Sequence, residues 1–175
     1  MSFLSAARVA GIVYVVYFML GLGGAALARG DIATLARGQA SAPAVAAWLA
    51  STVVYAVLVI LLARFVWTVD TRTTVAATAF GLLGCVIQFG AALLQTGREG
   101  PVAALFFFGV FMVLYGWLLT RSPVVPSLIG VMFVIAGFGW CSGPIPGLPS
   151  QLRVGAQGFG AITEVVFAVW LLIHG

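Results

Sequence analysis

The stretch "GFGAITEVVFAVWLLIHG", residues 158–175, decides the fold class. It is an apolar run interrupted by one acid, Glu164, and its length approaches the roughly 20 residues that an α-helix needs to cross a bilayer. Runs of the same kind recur along the whole chain, separated by short polar joints. We therefore predict an all-α fold, a polytopic transmembrane bundle of about six helices.

The composition agrees with a membrane protein. The 175 residues are 63% hydrophobic and 7% charged, with a mean hydropathy of +1.19, whereas soluble domains carry roughly a quarter charged residues. The net charge of +4 comes from single arginines spread between the apolar runs, which predicts contact with lipid headgroups and no nucleic-acid partner. The joints are too short for a soluble domain, so residues 1–175 are expected to form a single integral membrane domain.

Apolar runs and their polar boundaries predict the helices at about 7–28, 44–67, 74–96, 102–120, 127–140 and 154–173. The tryptophans, which prefer the headgroup level, all fall near the ends of these spans: Trp48, Trp67, Trp117, Trp140 and Trp170. Arg8 and the "ALA" at 26–28 also resemble a signal peptide with its cleavage site. The apolar run is long for a signal peptide, so we predict a retained helix.

The orientation in the membrane is not decided by charge, because the eight arginines divide evenly between the two sides of a six-span bundle. Abundant Ala, Gly, Val and Arg with no lysine is typical of a GC-rich bacterial genome. We expect the inner, cytoplasmic membrane of a bacterium, with both termini in the cytoplasm.

Two joints carry local signals. "RGDIATLARGQASAP", residues 29–43, predicts either a short interfacial helix, with Asp31 as its N-cap and Gly38 as its stop, or an ordinary loop. "GPIPGLPSQLR", residues 143–153, contains three prolines and predicts a stiff, extended turn over one mouth of the bundle.

Small and polar residues at helical spacing predict which helix faces point inward, because membrane helices associate through close packing and side-chain hydrogen bonds. The third span gives the clearest stripe, with Ala77, Gly81, Gly84, Gln88, Ala91 and Gln95. The sixth has Gln157, Ala161, Glu164 and Ala168, and the fifth has Ser127, Gly130, Gly137 and Cys141. In the first two spans the stripes are Ala10, Tyr14, Tyr17, Gly21 and Gly24, and Trp48, Ser51, Thr52 and Tyr55.

These stripes bring Glu164 and Gln88 to one central layer, with Tyr14, Tyr17 and Tyr55 as further candidates for a ligand or proton site. An acid at mid-membrane costs ~2.5–3.5 kcal/mol on insertion scales, so it indicates function by default. Desolvation disfavours the charged form, and the carboxyl is expected to be neutral. The alternative is structural: Glu164 locks the sixth helix to the third through Gln88, which is worth roughly 1 kcal/mol.

No catalytic residue, metal site or cofactor is predicted. The other acids lie in the joints and His174 is the only histidine, so neither a carboxylate pair nor a Ser/His/Asp triad can be assembled. His174 is expected at the membrane interface. Cys85 and Cys141 lie far apart, and Cys85 is expected to be a packing residue.

Three patches carry a family resemblance: "ARVAGIVYVVYFMLG" at 7–21, "YGWLLTRSPVVPSLIGVMFVIAG" at 115–137 and "EVVFAVWLLIHG" at 164–175. Together they resemble bacterial multi-pass membrane proteins of the domain of unknown function 4386 family. The resemblance implies a six-helix membrane domain and no agreed activity. The matching positions it implies are Arg121, Pro126 and Gly130 in the turn, and Glu164, Trp170 and Gly175 at the end.

The sequence leaves three functions open. The first is a non-enzymatic bundle that binds a lipophilic small molecule or a proton near Glu164. The second is a structural or accessory subunit of a larger membrane complex, with the Phe-rich segment Leu105–Phe111 facing lipid or a partner subunit. The third, more distant, is an intramembrane enzyme that uses Glu164 as an acid.

Overall fold

The computed structural model describes residues 3–27, 41–94, 99–145 and 147–174, and within them the regular elements are all α-helices. In chain order they are α1 (Phe3–Leu27), α2 (Ala42–Val66), α3 (Thr71–Leu94), α4 (Glu99–Thr120), α5 (Ser127–Cys141) and α6 (Ser150–His174). The predicted fold class, an all-α bundle of about six helices, is confirmed. α1 and α6 each begin four residues before the predicted start.

The helices form a closed ring. Each packs against its neighbours in sequence, and α6 closes the ring against α1. Neighbours run antiparallel: Gly24 near the end of α1 lies against Ala44 and Ala47 near the start of α2, and Gly11 lies against Leu172 near the end of α6. Both ends of the described chain therefore lie at one end of the ring, the terminal end. The joints α1–α2, α3–α4 and α5–α6 lie at the opposite one, the joint end.

Five of the described helices are long and apolar enough to cross a membrane, and α5 is shorter. Its 15 residues span only about 22 Å, whereas the hydrocarbon core is about 30 Å thick. Prolines set both limits, because Pro126 precedes its first residue and Pro144 follows soon after its last. The fifth element is thus an apolar helix that does not reach through the bilayer by itself.

The terminal end carries well-formed polar contacts. Asp70 precedes α3, and its Oδ1 accepts hydrogen bonds from the backbone N–H groups of Arg72 (3.0 Å) and Thr73 (3.4 Å), while Oδ2 accepts one from the Thr73 hydroxyl (2.8 Å). The Thr73 hydroxyl is the largest cause that lowers the pKa of Asp70 below its usual value. Nearby in the α4–α5 joint, the Arg121 guanidinium stacks 3.8 Å above the Trp117 ring.

The joint end agrees only in part with the predictions. Most of the proposed interfacial helix at 29–43, including Asp31 and Gly38, lies outside the described residues. In the α5–α6 joint, residues 142–145 and 147–149 are non-helical as expected, with Gly147 at φ 81°, but α6 already begins at Ser150. The predicted extended turn was therefore four residues too long. Pro149 is the last proline of the joint, and because proline is compatible with a helix start, the helix can begin directly after it.

The inward stripe predicted for α3 is confirmed at its described positions: Ala77, Gly81, Gly84 and Ala91 are buried and Gln88 is half-buried. In α6 the prediction was wrong for Ala161, which is exposed. α6 packs against both α1 and α5, so its buried face is centred on Gly160, Thr163, Glu164, Phe167, Ala168 and Leu171. Ser127 is also exposed, because it is the first residue of α5.

Glycines bring α4 and α5 into backbone contact. A Cβ at Gly116 would lie 2.7 Å from the carbonyl oxygen of Gly130, and one at Gly109 would lie 2.7 Å from that of Gly137. The two glycines on each helix are seven residues apart, which places both on one face. This gives a physical role to Gly130, one of the positions implied by the family resemblance.

Candidate ligand-binding site

Glu164 lies in the middle of α6 and is buried, with only 1% of its surface exposed. Its Oε1 accepts a hydrogen bond of 2.8 Å from the hydroxyl of Tyr55 on α2. α2 and α6 are not neighbours in the ring, since α1 lies between them. The hydrogen bond therefore crosses the interior of the bundle.

Other tyrosines surround this hydrogen bond. Tyr14 and Tyr17 of α1 lie within electrostatic range of the Glu164 carboxyl. The Tyr14 hydroxyl is buried and has no hydrogen-bond partner among the described residues, whereas the Tyr115 hydroxyl donates to the Leu62 carbonyl at 3.2 Å. The acid thus has one phenol bonded to it and two more near it, and the Tyr14 hydroxyl has hydrogen-bonding capacity to spare.

Gln88 does not pair with Glu164, so the expected lock between the third and sixth helices was wrong. Its Nε2 donates instead to the Thr52 hydroxyl at 3.1 Å, and that hydroxyl donates to the Trp48 carbonyl at 3.0 Å. α3 neighbours α2 and α4 rather than α6, which places Gln88 beside α2. Glu164 is tied to α2 because the long phenol of Tyr55 reaches across the interior.

A cavity of about 180 Å³ lies between the Gln88–Thr52 pair and Tyr55. Its walls are Tyr17, Trp48, Thr52, Tyr55, Gln88, Leu105, Phe108 and Trp140. These residues come from the second half of α1, the start to the middle of α2, the second half of α3, the first half of α4 and the end of α5. The cavity therefore occupies the half of the bundle toward the joint end, and Glu164 lies behind its Tyr55 wall.

The five predicted site residues do not share one position. Tyr17, Tyr55 and Gln88 line the cavity, Glu164 is reached through Tyr55, and Tyr14 is buried beside Phe167 with ring centroids 6.2 Å apart. Trp48 and Thr52 were predicted to point inward but were not assigned to the site. Leu105, Phe108 and Trp140 were missed.

The two aromatic residues, Phe108 and Trp140, were missed for the same reason. The ring of Phe108 fills the space above Gly84, and the indole of Trp140 packs on Gly160, so each aromatic residue faces a glycine of the neighbouring helix. Which glycine meets which ring depends on helix register, and a single sequence gives no signal for it.

The Phe-rich segment Leu105–Phe111 was expected to face lipid or a partner, and for two of its four rings this was wrong. Phe108 and Phe111 are buried, Phe107 is half-buried and Phe106 is 42% exposed. The rings follow one another around the helix, so consecutive phenylalanines cannot share one face.

The chemistry that these residues offer is recognition by apolar rings and a few neutral polar groups. No group of three or more His, Cys, Asp or Glu side chains suited to a metal ion occurs in the described residues. Cys85 and Cys141 are free thiols, and Cys85 is buried. His174 is exposed and stacks on Trp170 near the end of α6, with ring centroids 5.3 Å apart.

Comparison with known families finds one match. The model described as "Domain of unknown function (DUF4386)" matches residues 91–175. This region contains the patches at 115–137 and 164–175 and also Leu105, Phe108, Trp140 and Glu164, whereas the patch at 7–21 lies outside it. No curated protein and no solved structure matches the chain.

Proposed function

Residues 91–175 match the DUF4386 family model, and from this premise we propose that the chain is a membrane-embedded binding protein, not an enzyme, for a lipophilic small molecule. The ligand would occupy the cavity beside Tyr55 and Glu164. The family description assigns no activity, so the proposal rests on the geometry of the bundle.

The single observation that carries the proposal is the cavity itself. Membrane helices normally pack their interior closely, and a dry apolar cavity of about 150 Å³ in another protein is known to hold benzene. The 180 Å³ present here is enough for one aromatic ring or a group of similar size. Apolar walls with a few converging polar groups are typical of small-molecule sites.

The polar groups on the wall would orient a ligand. The Thr52 hydroxyl donates its proton to the Trp48 carbonyl and accepts a hydrogen bond from Gln88, so it has no proton left to donate to Gln88. The amide oxygen of Gln88 has no partner among the described residues. The Tyr17 hydroxyl is a second group on the wall that can donate or accept. A ligand with one hydrogen-bonding group on an apolar body matches this arrangement.

We place the protein in the inner, cytoplasmic membrane of a bacterium with both termini in the cytoplasm. The cavity would then face the outer half of the bilayer, because it lies toward the joint end. Lipids surround the bundle in this arrangement, and a lipophilic ligand can reach the cavity from them.

The alternatives have less support. An accessory subunit needs a face for its partner, but Phe108 and Phe111, two of the four rings in the Phe-rich segment proposed for that role, are buried inside the bundle. An intramembrane enzyme with Glu164 as its acid needs a second catalytic group. The described hydrogen-bond partner of Glu164 is the phenol of Tyr55 rather than a carboxyl or histidine.

Indole, a neutral ring with one N–H donor, is a suitable probe for the proposal. At a free concentration of about ten times its dissociation constant, indole should stabilise the purified protein by about 1.4 kcal/mol. This corresponds to a rise of about 3–5 °C in Tm. Leu105→Trp should fill the cavity and abolish the rise. Thermal unfolding in detergent, followed by differential scanning calorimetry, measures both.

Leu83→Trp is the matched control, because Leu83 is exposed on α3 and does not line the cavity. This variant should keep the full response to indole. An equal rise in Tm for wild type and Leu105→Trp would contradict the proposed site, and so would the absence of any rise in wild type.

A further inference from the structure

Aromatic rings form a continuous wall around the cavity. Tyr17 and Tyr55 have ring centroids 4.8 Å apart, Tyr55 and Phe108 5.3 Å apart, and Phe108 and Trp140 6.4 Å apart. The last two pairs meet at 85° and 77°, so the wall turns at each step instead of lying flat. Trp48 adds a fifth ring. Rings arranged in this way enclose a group of modest size from several directions.

The groups around this enclosure are suited to a cation. The face of an aromatic ring carries the negative part of its quadrupole, and cations bind over such faces, most strongly over Trp. No residue that lines the cavity is basic, and Glu164 lies behind the Tyr55 wall, with its Oε1 2.8 Å from the Tyr55 hydroxyl. An anionic ligand would find no countercharge on these walls.

The basic side chains of the described residues lie away from the cavity. Arg8, Arg64, Arg72 and Arg121 are exposed at the terminal end, and Arg153 lies in the first turn of α6, with its Nη2 donating to the Ile145 carbonyl at 3.4 Å. None of these arginines lines the cavity. Among the described residues, Glu164 therefore has no fixed cation to balance its charge inside the bundle.

We propose that the ligand is an organic cation, with a quaternary or tertiary ammonium group held by the five rings and Glu164 as its countercharge. The proposal rests on the proposed function and names the ligand class of that same site. In the free protein the buried carboxyl keeps its proton, because a lone charge is costly at this depth. When the cation binds, the carboxyl releases one proton to water and becomes the carboxylate, so the charge in the site is balanced.

The proton exchange predicts a pH dependence. The titratable groups that face Glu164 are Tyr14 and Tyr17 from α1 and Tyr55 from α2; Tyr115 of α4 faces Tyr14, Cys85 of α3 faces Tyr17, and Cys141 ends α5. Phenols and thiols ordinarily titrate near 10 and 8.5, so they stay neutral between about pH 5.5 and about pH 7.5. In that range the release of one proton should raise the affinity for the cation by up to about tenfold per pH unit.

Benzyltrimethylammonium and neopentylbenzene test the proposal, because they have the same shape and differ by the charge. Isothermal titration calorimetry on the full chain in detergent should give an affinity for benzyltrimethylammonium at least about tenfold higher than that for neopentylbenzene. Glu164→Gln, which can still accept the hydrogen bond from Tyr55, should lower the cation affinity about tenfold or more, leave the neutral compound within about threefold and remove the pH dependence.

Trp48→Leu removes one ring of the wall and should weaken the cation selectively. Trp67→Leu is the matched control, since Trp67 is exposed at the terminal end, away from the cavity. This substitution should leave the affinities for both compounds unchanged. The pH dependence of wild type provides a readout that does not require any variant to fold.

The outcomes separate this inference from the proposed function. Equal binding of the two compounds, or cation binding that is independent of pH in wild type, would overturn the organic cation while the binding site stands. If neither these compounds nor indole bind, the proposed function fails together with the inference. Preferential, pH-dependent binding of the cation that is lost in Glu164→Gln would support both.

Discussion

At the scale of single residues, the most informative contrast is between two tyrosines of the same interior. Tyr55 donates its hydroxyl to Glu164, whereas the Tyr14 hydroxyl is buried without a partner among the described residues. An acid in an apolar helix is visible in the sequence, and so is the inward spacing of both tyrosines. Which of them bonds to the acid depends on helix rotation and on ångström distances that no residue pattern contains.

Replacing each tyrosine by phenylalanine should therefore have different effects. Tyr55→Phe removes the partner of a buried carboxyl and should destabilise the protein by about 1–2 kcal/mol. Tyr14→Phe removes a hydroxyl that makes no hydrogen bond and should be neutral or slightly stabilising. Reversible unfolding in mixed micelles measures both free energies, and an equal loss of stability in the two variants would contradict the hydrogen-bond assignment.

At the scale of helices, α4 and α5 pack backbone against backbone. Glycines at matching positions of the two helices, rather than large side chains, form the contact. A Cβ at Gly116 would meet the backbone of Gly130 and Val134 at 2.7 Å, and backbone atoms cannot move aside as a side chain can. The small-residue spacing is readable in the sequence. The partner helix is readable too, because the short α4–α5 joint makes the two helices antiparallel neighbours.

Gly116→Ala should separate α4 from α5 and destabilise the protein by about 1–3 kcal/mol. Gly90→Ala is the matched control, since a Cβ at Gly90 meets nothing within 4 Å. It should leave stability within about 1 kcal/mol of wild type, on the favourable side, because alanine is the better helix former. Similar losses in both variants would argue against the close approach of the two backbones.

At the scale of the whole molecule, the closed ring makes the two ends chemically different. The terminal end carries Arg64, Arg72 and Arg121, together with Asp70, which caps the start of α3. The cavity lies toward the joint end. Arginine counting does not orient the ring, since the tally is equal on both sides. An experiment on sidedness decides which half of the bilayer contains the cavity.

Two exposed serines at opposite ends provide that experiment. Ser127 begins α5 at the terminal end, and Ser150 begins α6 at the joint end. In a background without Cys85 and Cys141, a membrane-impermeant maleimide added to intact bacterial cells should label Ser150→Cys and leave Ser127→Cys unlabelled until the cells are permeabilised. The reverse pattern would place both termini outside the cytoplasm.

Much of this architecture could be predicted from the sequence because bilayer thickness and the period of an α-helix act on every apolar segment alike. The inward face of α3 through Gly81 and Gly84 followed from spacing alone. The outward turn of Ala161, the pairing of Gln88 with Thr52 and the packing of Trp140 on Gly160 could not be predicted. Each depends on which two helices meet and at what rotation, which is a property of the assembled ring.

The short α5 has a consequence for the surrounding lipid. A helix of about 22 Å beside neighbours that are long enough to cross the full hydrocarbon layer creates a hydrophobic mismatch, and local thinning of the bilayer is one way to relieve it. The last turn of this helix carries Trp140, one wall of the cavity. Where the bilayer thins beside this helix, its headgroups lie closer to the rim of the cavity, so an amphiphilic molecule in that leaflet can contact the headgroup region and the aromatic wall together.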